Sequence, residues 1–219
     1  MVDSKRPYQS SLRAGQARTT RRAIVEAGGA LFVERGYAGT TVDAIAERAG
    51  VSRKTVFTSV GGKVGLLKLA IDWALTGDDE PVALGDRPVI RDLVSETDPQ
   101  KAVVKWAHMV TGIAARLALL HPVLTAAADV DEQAAELNAV SEHNRLDGAK
   151  HFVMQLQSLG ALRSDLGLDR AAAMASLLMD PLGYRRLVLA DGWTEEEYAD
   201  WVARMTTASF LPDHQRLGR

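Results

Sequence analysis

Two short helical patterns meet across a single glycine in the run Ala49-Gly50-Val51-Ser52. That junction constrains the fold more than any other feature of the chain. The upstream pattern starts at Thr40 or Thr41, and the pair Thr40 and Asp43 has the spacing of an N-terminal capping signature. Val42, Ile45, Ala46 and Ala49 fall on one face at helical spacing. Gly50 permits the left-handed backbone that ends a helix, Val51 can turn into the core, and Ser52 can cap the next helix. The second helix opens with Arg53, Lys54 and Thr55 and turns Val56 and Val60 inward. This is a helix-turn-helix whose second helix carries cations and hydroxyls at its N-terminal end, where such helices meet base edges. The competing reading of the segment is a helical hairpin with a solvated charged face.

Charge separates the two. The formal net charge of −2 conceals an asymmetry: residues 1–76 hold 12 Lys and Arg against 6 Asp and Glu, and residues 77–219 hold 14 against 22. The N-terminal part is therefore +6 and the remainder −8. A basic unit centred on a helix-turn-helix suits a protein that presents one end to a polyanion. The 219 residues, 47% of them hydrophobic, suffice for a substantial core. The absence of cysteine excludes disulfides, thiolate metal sites and thiol nucleophiles, and fits a cytoplasmic location. No apolar run follows the first basic residues, so no signal peptide is expected. The apolar stretch Ala107 to Leu124 is interrupted by His108, Arg116 and His121 and reads as a buried helix, not a membrane span.

Along the chain, residues 1–15 read as a flexible basic arm containing Lys5, Arg6 and Arg13. Residues 16–62 form the three-helix DNA-binding domain, with a first helix from about Ala17 to Arg35 stopped by Gly36. A connecting helix covers 63–76. Gly77-Asp78-Asp79-Glu80-Pro81 then reads as an acidic linker, with a short helical turn at Val89–Val94. The body, 77–219, reads as helical throughout, with helices expected over about Asp131–Leu159, Asp169–Leu189 and Thr194–Phe210. The predicted fold class is all-α.

The spacing of Leu31-Phe32, Gly36-Tyr37, Thr40-Thr41, Ile45-Ala46, Ala49-Gly50-Val51-Ser52, Thr55, Lys63 and Leu67 resembles that of the TetR family of transcriptional regulators. The resemblance spans about Ala17 to Ile71; beyond it only length and helical character agree. It implies a C-terminal domain that dimerises through its last two long helices and encloses a pocket for a small-molecule effector, whose binding lowers affinity for operator DNA. Several positions depart from the family's usual residues. Lys54 stands for Gly, Phe57 for Tyr, Ser59 for His or a similar polar residue, Val60 for Phe and Val64 for Glu. The first adds a cation to the reading helix and the second removes a phosphate-bonding hydroxyl.

Phosphate contacts position a DNA-binding protein and base contacts specify its site. The resemblance places phosphate binders at Thr41 and Lys63. Arg53 and Lys54 can donate to guanine, and the Thr55 methyl can touch thymine. Ser52, Phe57 and Thr58 complete the candidate interface. For the implied effector pocket, Trp106, Met109, Ile113, Phe152, Leu156, Met174 and Leu178 supply apolar candidates, each also suited to plain core. For the implied dimer, Ala171–Leu178 offers small residues, and Trp201, Val202, Met205 and Phe210 offer bulk. His108, His121, His143 and His151 lack metal-site spacing, and no metal or cofactor is expected. An enzyme reading fails for want of a nucleophile–base pair: Gly61-Gly62-Lys63 lacks the upstream glycine and following Ser or Thr of a phosphate loop. The expected partners are an operator duplex, a small molecule and a second copy of the chain. The alternative is a DNA-binding helical protein without ligand gating.

Overall fold

The structure, a computed structural model, describes residues 5–212, with side chains from Gly15 onward. It contains helices and no strand among the described residues. The chain divides into two compact units. One takes the chain up to Ala74 together with Pro122–Leu137, and the other takes Leu75–His121 and Asn138 onward.

The first unit is built on α1 (Lys5–Gly39), α2 (Val42–Ala49), α3 (Arg53–Val60) and α4 (Lys63–Thr76). Ile24, Leu31, Phe32, Ile45, Val56, Leu66 and Leu67 form its core, each almost fully buried. Gly36 interrupts α1 with φ 70° and ψ 175°, so the stop predicted there is real and only one further turn follows it. The break turns Tyr37 back to stack on Phe32, ring centroids 5.9 Å apart. Gly28 lets α1 approach α4: a Cβ there would lie 2.1 Å from Leu66 Cδ2. Gly65 is tighter still, because a Cβ would lie 2.1 Å from the backbone oxygen of Val60.

Two features of this unit differ from the sequence expectation. The helical backbone reaches back to Lys5, where an arm was expected as far as Gly15. Nothing in that stretch breaks a helix except Pro7, which falls in the first turn, where a missing N–H is tolerated. The side chains of Lys5, Arg6 and Arg13 lie outside the described residues. Second, α7 (His121–Ala128), from Pro122 on, and the start of α8 (Glu132–Ser158) join this unit, although the sequence assigned them to the body. Leu124, Ala127 and Ala134 are buried there, and the Tyr37 hydroxyl donates to Asp131 Oδ2 at 2.5 Å. A sequence reading cannot see a contact made across 94 residues.

In the second unit α5 (Pro88–Val94) leads to α6 (Pro99–Leu117), whose apolar stripe packs against α11 (Glu195–Phe210) and α8. Trp106 and Phe152 stack at 4.4 Å with planes 5° apart. The single long helix expected over 169–189 is broken. α9 (Leu168–Leu178) ends early, Asp180 caps α10 (Pro181–Tyr184) by accepting from Leu182 N, and a π-helical turn follows from Arg185 to Ala190. Pro181 is the physical reason, since proline supplies no N–H to the preceding turn and disfavours helical backbone in the residue before it. Thr194 begins α11 with a reciprocal capping box to Glu197.

Candidate functional site

The recognition surface is assembled from its caps outward. Thr41 caps α2, its Oγ1 accepting from Ala44 N at 3.1 Å, while Thr40, the other capping candidate, turns inward. Its hydroxyl lies 3.0 Å from the Leu31 carbonyl and 2.8 Å from that of Gly36. Gly50 then takes φ 66°, ψ 32°, and its N–H together with the turn closes α2. Ser52 caps α3 by accepting from Thr55 N at 3.1 Å, and its Oγ lies 2.8 Å from Thr55 Oγ1. The buried side of α3 is Val56 and Val60. Its other side leaves Arg53, Lys54, Phe57 and Thr58 exposed, with Thr55 half-buried.

The exposed groups are not equivalent. Arg53 Nη1 reaches back to Asp43, 2.8 Å from Oδ2 and 3.0 Å from Oδ1, and its guanidinium lies 5.8 Å from the Phe57 ring centre. Such an exposed pair is worth only about 0–1 kcal/mol, so a stronger acceptor can draw the arginine away. Lys54 forms no ion pair among the described residues. The Thr58 hydroxyl is turned onto its own helix, 3.1 Å from the Lys54 carbonyl. The Phe57 ring covers Gly62, where a Cβ would lie 3.1 Å from Cε1.

Lys63 opens α4 and lies over Tyr37, its Nζ 3.8 Å from the ring centre. Burial pulls the ammonium below the ordinary lysine pKa, and the nearby Asp131 carboxylate opposes that pull. Asp131 is itself held below the usual carboxylate range, chiefly by the Tyr37 hydroxyl, and its Oδ1 caps α8 by accepting from Gln133 N and Ala134 N. Burial and the same hydrogen bond push the Tyr37 phenol well up. Sequence reasoning missed Tyr37–Asp131 and Gly65, which fix where Lys63 stands; the small residue so close to Lys63 was the available signal for the second.

The seven residues proposed for an effector pocket are not brought together. Trp106, Phe152 and Leu156 are almost fully buried, and the Trp106–Phe152 stack fills the place where a cavity was expected. Met174 is exposed and Leu178 is half-buried against the core. Met109 and Ile113, in contrast, line a cleft of about 440 Å³ within the second unit. Leu75, Thr76, Leu84 and Arg87 line it as well, with Pro88, Val89 and Ile90 from α5 and His108, Gly112 and Arg116 from α6. The side chains that pack best make core, and those at the edge of the packing make the recess. Hydrophobicity alone does not distinguish them.

Of the surface proposed for dimer contact, Ala171, Ala172, Ala175, Val202 and Phe210 are consumed by the chain's own core. Met174, Leu177, Leu182, Leu189 and Met205 are instead exposed, Leu177 by 72%. No group of three His, Asp or Glu is placed to hold a metal ion among the described residues. No single helix there is long and apolar enough to cross a membrane.

Residues 24–70 match the family described as bacterial regulatory proteins, tetR family. The HTH-type transcriptional regulator TtgR of Pseudomonas putida is 26% identical over 182 residues, covering 80% of this chain and 84% of that protein. Among solved structures, the SmeT–triclosan complex is similar at a TM-score of 0.67 and 22% identity, over 91% of this chain and 96% of that one. NalD, described as the secondary repressor of the MexAB-OprM multidrug efflux pump in Pseudomonas aeruginosa, follows at 0.66 and 18%, over 90% and 98%. A helix-turn-helix with a solvent-facing α3, on an all-helical two-unit chain, defines a DNA-binding transcriptional regulator. Over its helix-turn-helix segment the chain matches the TetR family, and along most of its length it is similar to regulators of that kind. Regulators of this family bind operator DNA and small-molecule effectors and are dimers.

Proposed function

We propose that this protein is a homodimeric repressor, without catalytic activity, that a small molecule releases from its operator. The observation that supports the reading is the span of α4. Its first residue is Lys63, which the reading assigns to a phosphate, and its last two, Leu75 and Thr76, line the cleft. An occupant that favours another setting of that last turn has differential affinity for two states of the protein, which is what gating requires. The relatives support the same reading: TtgR is a transcriptional regulator, and NalD is described as a repressor.

On DNA, Arg53, Lys54 and Thr55 read base edges, while Thr41, Ser52, Thr58 and Lys63 hold phosphates, with Phe57 against the sugar edge. Two copies set their α3 helices about 34–36 Å apart, one turn of the duplex. The exposed Met174, Leu177, Leu182, Leu189 and Met205 form the apolar face through which the copies join. The deciding experiment is selection of genomic fragments by the full-length protein, with sedimentation of the protein alone and on the selected duplex. Enrichment of a two-fold symmetric site by a dimer is the expected result. Enrichment of no site, or a monomer that stays monomeric on DNA, would overturn it. The gating half is tested by screening small molecules for release of that duplex.

A further inference from the structure

The cleft has a one-signed electrostatic character. Its lining contains Arg87, His108 and Arg116 and no acidic side chain. Arg87 is engaged with Asp78 by both terminal nitrogens, its Nη2 2.7 Å from Oδ1, and that contact holds the Asp78 carboxyl below the usual range. This pair makes a wall, and its buried Nε–H has no acceptor. Arg116 is placed differently. Its guanidinium sits between two glycines: a Cβ on Gly77 would lie 3.6 Å from Cζ and Nε, and one on Gly112 would lie 3.6 Å from Nη1. Those are contact distances, so a side chain larger than alanine at either position would displace the head. Nη2 donates to the Leu75 carbonyl at 3.1 Å. That carbonyl belongs to the last turn of α4, where no helical N–H remains to satisfy it. Partial desolvation lowers the Arg116 pKa, while the residue as a whole is exposed and open to an arriving anion. The remaining walls, Leu84, Val89, Ile90, Met109 and Ile113, are apolar.

We propose that this cleft takes an amphipathic organic anion, with its head on Arg116 and its tail along α5 and α6, and that the head competes with Leu75 for the guanidinium. The inference rests on the reading of the cleft as the effector site and adds the class of ligand and the atom through which it acts. A carboxylate accepts a planar, two-pronged donation from a guanidinium far better than a neutral carbonyl does. Turning the fork toward the ligand uncaps the end of α4. The volume, about 440 Å³, lies in the range of small-molecule sites.

The test uses the full-length protein and three ten-carbon probes: decanoate, decanol and decyltrimethylammonium. In calorimetry decanoate should bind at least tenfold more tightly than decanol, and the cation most weakly. Arg116→Gln should bring decanoate to the level of decanol and leave decanol within about twofold. His108→Glu, at an exposed lining position, should narrow the anion preference by about tenfold, and it serves where Arg116→Gln does not fold. Decanoate should weaken binding to the selected operator at least fivefold, and not in Arg116→Gln. Equal binding of the three probes, preference for the cation, or an equal loss of decanoate and decanol in Arg116→Gln would overturn the anionic class. If the cation binds and releases DNA, the effector reading stands while this inference falls. If decanoate binds with the predicted preference and operator affinity does not change, the ligand class stands and the gating reading falls. If no probe binds, this inference falls, and the gating reading is decided by the screen for release of the duplex.

Discussion

The charged groups of α3 stand on one short helix whose start is set by Ser52, whereas those of the cleft arrive from separated segments, Arg87 ahead of α5 and His108 and Arg116 on α6. The first arrangement is held by backbone. Each cap is a side chain bonded to an N–H three residues on, Thr41 to Ala44 and Ser52 to Thr55. The second is held by side chains against one another and against a distant carbonyl, as Arg116 is against Leu75. Surfaces of the first kind change by exchanging exposed residues on a fixed frame. Surfaces of the second kind change whenever packing changes.

The sharpest test of this contrast is Trp106→Ala. As core stacked on Phe152, Trp106 should cost about 3–5 kcal/mol of stability on truncation, read from urea midpoints of the full-length protein. A loss under about 1 kcal/mol would show that the body is loosely packed around Trp106 and would restore the cavity expected there. Gly65→Ala comes next. The added methyl meets the Val60 carbonyl oxygen at 2.1 Å, and overpacking of this kind costs about 1–3 kcal/mol. Because Lys63 is two residues away on the same turn, the variant should lose affinity for all duplexes alike. Retention of full DNA binding would mean that α4 is not a rigid seat for Lys63.

Within the DNA-facing unit, Arg53→Ala or Lys54→Ala should change which operator bases matter, by about 1–3 kcal/mol for a bidentate contact. Lys63→Ala should weaken all sequences about equally and flatten the logarithmic salt dependence by about one unit. Competition assays against base-substituted duplexes at several salt concentrations separate the two. A Lys63→Ala variant with altered base preference and an unchanged salt slope would invert the division of roles.

Much of the first unit was legible because its determinants are local. Gly36 and Gly50 take positive φ at the predicted stops, Ser52 caps α3, and Val56 and Val60 turn inward. The choice between Thr40 and Thr41 was not legible, since it depends on which hydroxyl finds the Leu31 and Gly36 carbonyls. The body yielded its helices and little of its cleft. Asp180-Pro181 was a readable break that the apolar run around it obscured. Which of Trp106, Met109, Ile113 and Phe152 would escape packing was not readable at all, because their hydropathy is alike and only tertiary geometry separates them.

The smallest expected effect sets one acid of each unit against the other. In the second unit, Glu96 accepts from Thr97 N and Asp98 N and pairs with Lys105 at 2.9 Å, and these contacts, the lysine foremost, hold its pKa at about 2. In the first, Asp131 is lowered chiefly by Tyr37. A carboxyl whose pKa is depressed by folding contributes stability that is complete above its unfolded value and disappears as pH falls through the folded one. For Glu96 that window runs from about 4.5 down to about 2. Glu96→Gln removes the titration, so its urea midpoint should lie below that of the wild type at pH 6 and converge on it toward pH 2. Asp131→Asn should behave alike in direction, with the added sign that operator binding responds, since Asp131 faces Lys63 through Tyr37. Glu96→Gln should leave operator binding at neutral pH unchanged. A gap for Glu96→Gln that is constant from pH 6 to pH 2 would show that the contacts at Glu96 are geometric and not ionic. An equal effect of both variants on operator binding would erase the distinction between the two units at the level of single acids.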